Sequence, residues 1–247
     1  MIFWNPRWCE GFFLSKGIEL KINNLSELEL LALLSASSVL RKRKYFEIIL
    51  ERLIKNKCAA NKIYEVLLQT YLFAGFPSAL ISLKRFNEVA GKNKIYRGYD
   101  LKTYSSRGEK NCRIIYGIKY DKLISNVKSF SPELAEWLIV EGYGKVLGRN
   151  GLTLKEREVC IVSILSALKF KDQIYSHING SVRVKVGIEL IYKVISNLEL
   201  ISAKSSSKYG LSVLKDYQLQ KVNSVWSDPL AYNKFFWKQF LIFKRQK

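Results

Sequence analysis

The chain has 247 residues, room for one large domain or two small ones, and its 48% hydrophobic and 25% charged residues are the mixture of a soluble globular protein, which excludes disorder over most of its length. With 14 glycines and 4 prolines it is poor in turn residues, which argues for helices over an all-β sandwich, and no apolar run approaches the ~18 residues that a membrane span requires. Charge is the outlier: 41 Lys and Arg against 21 Asp and Glu leave a net +20, a field that attracts nucleic acid, anionic membranes or acidic substrates.

The opening residues, Met1-Ile2-Phe3-Trp4-Asn5-Pro6-Arg7-Trp8, have no basic stretch before an apolar core and do not read as a secretory signal. Helical patterning starts near residue 25 and meets Arg41-Lys42-Arg43-Lys44, the one dense run in an otherwise scattered set of cations. That scatter reads as composition and not as a specific nucleic-acid site. A helix over residues 63–73 is expected to stop at Gly75-Phe76-Pro77, where Gly75 can take a positive φ and Pro77 suits the start of the next helix, residues 78–89. Residues 91–108 read as a linker loop, and 111–128 resume a weak helical pattern. Ser131-Pro132-Glu133 starts a helix toward Trp137 and Ile139, which the glycines of 142–151 are expected to break. Thr153, with Glu156 three residues on, has capping-box spacing and opens a helix to about residue 168; two more are expected over 172–183 and 188–200. The basic tail from Ala203 ends in the aromatic run Phe235-Phe236-Trp237 to Phe240 and Phe243, read as an amphipathic closing helix packed on the body and not as a membrane anchor.

Two stretches repeat. Ile63-Tyr64-Glu65-Val66-Leu67 recurs as Ile191-Tyr192-Lys193-Val194-Ile195, an offset of 128, and the run from Glu27 to Ala36 aligns with that from Glu158 to Ala167 at 131. Two copies of one helical unit explain this, with a small indel near the basic run. The chain then divides into an N-terminal segment (1–24), a first repeat (25–90), a linker with a helix (91–130), a second repeat (131–202) and a basic, aromatic extension (203–247).

Cys9, Cys58, Cys112 and Cys160 are widely separated and form neither a disulfide framework nor a Cys-x-x-Cys pair. A single histidine without clustered carboxylates or thiols cannot supply three or four metal ligands, so no metal is expected. The 142–151 glycines match neither phosphate-binding fingerprint and read as a loop between helices. His177 is the one side chain whose unperturbed pKa lies near neutrality. Glu158 is its best partner, because the preceding helix can run back beside it and a carboxylate on the imidazole is what a general acid/base requires. The same two residues could equally be structural, with Glu158 paired to Arg157 or a lysine.

The segment Glu65-Val66-Leu67-Leu68-Gln69-Thr70-Tyr71-Leu72-Phe73-Ala74-Gly75-Phe76-Pro77-Ser78-Ala79 resembles the E-V-L-L-Q … Y-A-G-F-P-A-A signature of the carboxymuconolactone decarboxylase family. Arg157-Glu158, followed by Gln173-Ile174 and Ser176-His177-Ile178-Asn179-Gly180, is similar to that family's R-E-L … Q-L … H-x-x-G-A stretch, and the block from Trp137 to Arg149 looks like bacterial two-repeat members. The likeness covers about residues 25–200. It implies an all-α fold of two fused alkyl hydroperoxide reductase D-like repeats, assembled as a homo-oligomer, trimeric or hexameric, with catalytic pockets in or near the interfaces.

Two activities come with the resemblance. The peroxidase branch uses a Cys-x-x-Cys, a following histidine and a glutamate on the preceding helix; Glu158 and His177 stand in those last two places, but Phe170 and Gln173 hold the cysteine positions, which closes that route. The decarboxylase branch needs no thiol, metal or cofactor. It implies removal of CO2 from a small acidic metabolite, with His177 donating a proton to the enolate-like carbon and Glu158 orienting it. Arg157 or Arg183 would clamp substrate carboxylates, and Gln173, Gly75 and Pro77 would complete the substrate site. The signatures are split, because the first repeat has Ile49 where the second has His177 and the second lacks Gly-Phe-Pro. One composite pocket made by both repeats is the simplest consequence; a catalytically inactive protein serving in binding or assembly is the alternative. A cytoplasmic location without membrane contact is expected.

Overall fold

A computed structural model describes Gly17 and residues 20–90 and 101–226, and every regular element among them is helical. In chain order these are α1 (Glu27–Val39), α2 (Arg43–Lys55), α3 (Ala60–Gln69), α4 (Tyr71–Ala90), α5 (Leu101–Tyr116), a 3-10 turn (Gly117–Lys119), α6 (Tyr120–Phe130) and α7 (Pro132–Trp137). There follow a π-helix (Leu138–Val146), α8 (Leu154–Leu168), α9 (Lys171–Arg183), α10 (Ile188–Ser196), a 3-10 turn (Asn197–Ile201) and α11 (Lys204–Trp226). No helix among the described residues is long and apolar enough to cross a membrane.

The centre is a pair of helices, α1 and α8, packed on each other. Each starts with a full capping box: Ser26 with Glu29, and Thr153 with Glu156. Beyond the cap each is buried all round, from Leu30 to Val39 and from Arg157 to Ala167, as expected of a helix in the middle of a core. Leu30, Leu31, Leu33 and Leu34 are sealed in, each contributing ~1.5–3 kcal/mol of burial free energy. Around them lie helices with one apolar stripe. On α2 it is Phe46, Ile49, Leu50 and Leu53; on α9 it is Ile174, His177, Ile178 and Ser181. His177 thus occupies a core-facing place on its helix.

Backbone features recur along the chain. Arg41 and Lys169 take left-handed conformations (φ 54° and 63°) after α1 and α8, and Lys57 and Lys185 (φ 58° and 67°) after α2 and α9, both pairs at an offset of 128. The closing hydrogen bonds recur with them: the Lys42 N–H donates to Ser37 O and the Phe170 N–H to Leu165 O, while Cys58 donates to Leu53 and Val186 to Ser181. The capping boxes lie 127 apart, one residue less than these pairs.

Several elements differ from expectation. The third helix starts earlier and ends at Gln69; the chain turns and re-enters α4, which bends at Gly75 (φ 74°, ψ 172°) before Pro77. Residues 101–108 belong to α5 and not to a loop, while 91–100 lie outside the described residues. Gly142 and Gly144 sit inside the π-helix instead of breaking it. The reason is contact: a Cβ on Gly108 would stand 2.0 Å from Ile139 O, and one on Gly144 2.1 Å from Tyr104 O, so these glycines let α5 and the π-helix touch backbone to backbone. Residues 1–16 and the aromatic run from Phe235 to Phe243 lie outside the described residues. The tail up to Trp226 is α11, packed on α8, α9 and α10.

Candidate functional site

Glu158 lies on the second turn of α8 and His177 on the inward stripe of α9, which packs against it. Glu158 Oε2 and His177 Nδ1 are 2.9 Å apart, with side chains 2% and 9% exposed. Gly180, one turn after His177, makes the pairing fit, since a Cβ there would come within 2.8 Å of Glu158 Oε2. A carboxylate accepting from Nδ1–H fixes the tautomer and leaves Nε2 as the free ring atom. Nε2 has no hydrogen-bond partner among the described residues.

Three aromatic residues complete the surroundings. The Phe73 and Tyr116 rings stand edge-on to the imidazole, with centroids at 6.4 and 6.5 Å. The Tyr143 hydroxyl donates to the Tyr116 hydroxyl at 3.1 Å. Burial raises both phenols above their ordinary pKa, so both stay protonated and Tyr116 retains its own O–H to donate. Burial and the nearby Glu158 charge push the Cys112 thiol up to about 12, so it is inert at neutral pH. The site therefore draws on α4, α5, the π-helix, α8 and α9. None of Phe73, Tyr116, Tyr143 or Cys112 stood out as a site residue in the sequence; the one local signal was Gly180 inside a helix, a mark of close approach to the turn after a histidine.

The other expected site residues go elsewhere. Arg157 is 1% exposed and its guanidinium is committed to protein: Nη2 donates to Glu65 Oε2 (3.0 Å) and Arg149 O (2.9 Å), and Nη1 to Gln69 Oε1 (3.2 Å). Arg149 closes the knot with Nε at 2.9 and 3.1 Å from the two Glu65 oxygens. Burial draws the Arg157 pKa below its usual value, and Glu65 opposes that shift. The arginine is thus a buried strut between α8 and α3, with no donor offered to a substrate. Arg183 is exposed, and its Nε caps α5 by donating to Ile114 O at 3.2 Å. Gln173 is exposed on α9. Gly75 and Pro77 are exposed at the α4 bend, where Phe76 stacks on Tyr71 at 5.1 Å. Of the expected set, the structure brings only Glu158 and His177 together.

Cys58, Cys112 and Cys160 are buried free thiols, and no cluster of three or more His, Cys, Asp or Glu side chains among the described residues could hold a metal ion. The dyad lines neither the cavity between α1, α2 and α4 nor the shallow depression on α5 between Ser106 and Ile114. No known protein-family model matches this chain, and no curated protein matches it either.

Proposed function

We propose that this chain is a carboxymuconolactone decarboxylase-like protein that performs cofactor-free acid/base chemistry, with His177 as proton donor, on a small carboxylated metabolite. The observation that carries the reading is the 2.9 Å contact between Glu158 and His177 inside the core. A buried carboxylate on Nδ1 orients the ring and leaves Nε2 to act on substrate. When the substrate's C–CO2 bond breaks, its electron pair passes into an enolate. The Tyr116 O–H, polarised by the Tyr143 hydroxyl behind it, then donates to the enolate oxygen in this reading. The Nε2 proton then goes to the carbon, and the net +20 charge draws acidic substrates inward.

The same reading takes residues 25–90 and 131–202 as two copies of one alkyl hydroperoxide reductase D-like unit, supported by the backbone offset of 128. It also expects a homo-oligomer, for which the exposed Phe76 and Leu80 on α4 offer apolar surface, and sedimentation analysis reads that state directly. Free thiols suit a reducing, cytoplasmic compartment. A second reading, a catalytically silent binding or assembly protein, draws on the mere 9% exposure of the His177 side chain.

The test is CO2 release from carboxymuconolactone and a panel of small β-keto and lactone carboxylates. Turnover is expected in the wild-type chain and is lost in His177→Gln, with Tyr116→Phe slowed by about 10²-fold, the scale of one oxyanion donor. Turnover untouched by His177→Gln, or none with any substrate, removes the catalytic reading.

A further inference from the structure

The basic run Arg41-Lys42-Arg43-Lys44 leads into α2 beside a cavity of about 400 Å³ walled by α1, α2 and α4. The floor is polar and internally bonded: Ser82 Oγ donates to Ser78 O at 2.8 Å, which leaves Ser38 to donate to Ser82 across 2.5 Å. The walls carry Arg41, Lys42, Arg43, Lys84 and Arg85 against Glu88. Glu47 sits 3.0 Å from Arg43 and 3.2 Å from Arg85, and Glu88 is 3.2 Å from Arg85. Lys42 Nζ donates to Ser202 O at 3.3 Å. Arg41 and Lys84 have no acidic partner among the described residues. Uncompensated positive charge therefore borders a concave space.

A second feature points the same way. Helix α2 starts without a cap: Lys42 supplies no side-chain acceptor, and the first turn holds no acidic residue. The positive end of the helix dipole, about half an elementary charge, therefore bears on the cavity edge formed by Arg41, Lys42 and Arg43. At the offset of 128, Lys42, Lys84 and Arg85 become Phe170, Ser212 and Val213, while Arg41 and Arg43 become Lys169 and Lys171.

We propose that this cavity binds a small phosphomonoester, its phosphate held between the α2 N-terminus, Arg41 and Lys84 and its body against Phe46 and Ile81. A tetrahedral dianion uses donors from several directions, whereas a planar carboxylate is saturated by a forked pair. The cavity volume falls in the range of small-molecule pockets, ~300–1,000 Å³, while nucleic acid asks for an extended basic stripe. The site shares no residue with the Glu158–His177 centre and stands independently of it.

Calorimetric titration of the full chain in about 0.1 M chloride, with inorganic phosphate and with glycerol 3-phosphate, is expected to show saturable binding that is tighter for the ester. The Arg41→Ala/Lys84→Ala double variant, altered only at exposed side chains, is expected to weaken both by about tenfold or more, and His177→Gln to bind as the wild type does. Amide resonances of residues 43–45 are expected to shift with phosphate and not with acetate. Acetate binding as tightly as phosphate, an affinity unchanged in the double variant, or binding of duplex DNA alone overturns the proposal.

Discussion

Replacing Glu65 by alanine is expected to be the most damaging single change in the charged knot. Glu65 and Arg157 are each 1% exposed, and Glu65 accepts from both Arg157 and Arg149. Its removal strands the Arg157 charge inside the core, where only Gln69 Oε1 and Arg149 O remain as acceptors and Nε already lacks a partner. Stranding one member of a buried pair costs ~3–5 kcal/mol. At ~2–4 °C per kcal/mol for a chain of this size, the melting temperature should fall by roughly 6–20 °C. Thermal melts followed by circular dichroism measure this, with Glu109→Ala as the surface control. The Glu109–Arg113 pair is about half exposed on both sides and should contribute little. The double variant Glu65→Leu/Arg157→Met should recover most of the loss, because two neutral groups leave no stranded charge. If Glu65→Ala melts with the surface control, or the double variant is no better than the single, the account of Arg157 as a buried strut fails.

Other outcomes follow from the same geometry. Gly75→Ala should lose ~1–3 kcal/mol of stability by urea unfolding, since φ 74° and ψ 172° belong to a region nearly reserved for glycine, and the new Cβ meets only Pro77 Cδ at 3.5 Å; an unchanged midpoint contradicts this. Gly180→Ala should push Glu158 off Nδ1 and move the imidazole resonances of the single histidine, which would stay put if the carboxylate had room to spare. Burial raises Cys58 and Cys112 to about 12, so at pH 8 roughly one thiol in ten thousand is ionised and native-state alkylation should be slow, becoming fast in urea. The folded state holds those protons more tightly than the unfolded one, so their contribution to stability is intact below pH 9 and is lost as the pH climbs toward 12.

Local rules made much of this chain readable. Low Gly and Pro content, apolar residues at helical spacing, the Thr153–Glu156 cap and the bend at Gly75 each act within a few residues, and each is seen in the fold. The nearness of Glu158 and His177 was also legible, because consecutive helices joined by a short turn lie side by side and their facing positions follow from periodicity. What sequence could not rank were contacts across long separations. Arg157 reads as a cation free for substrate until α3 delivers Glu65 and Gln69 from about ninety residues away. Gly144 reads as a breaker until α5 lies against it. Tyr116 and Tyr143 become a hydrogen-bonded pair beside the imidazole only when α5 meets the π-helix. Short-range preference is written in neighbouring residues, whereas the environment of a buried charge or hydroxyl depends on which distant helix comes to rest against it, and only the packed core decides that.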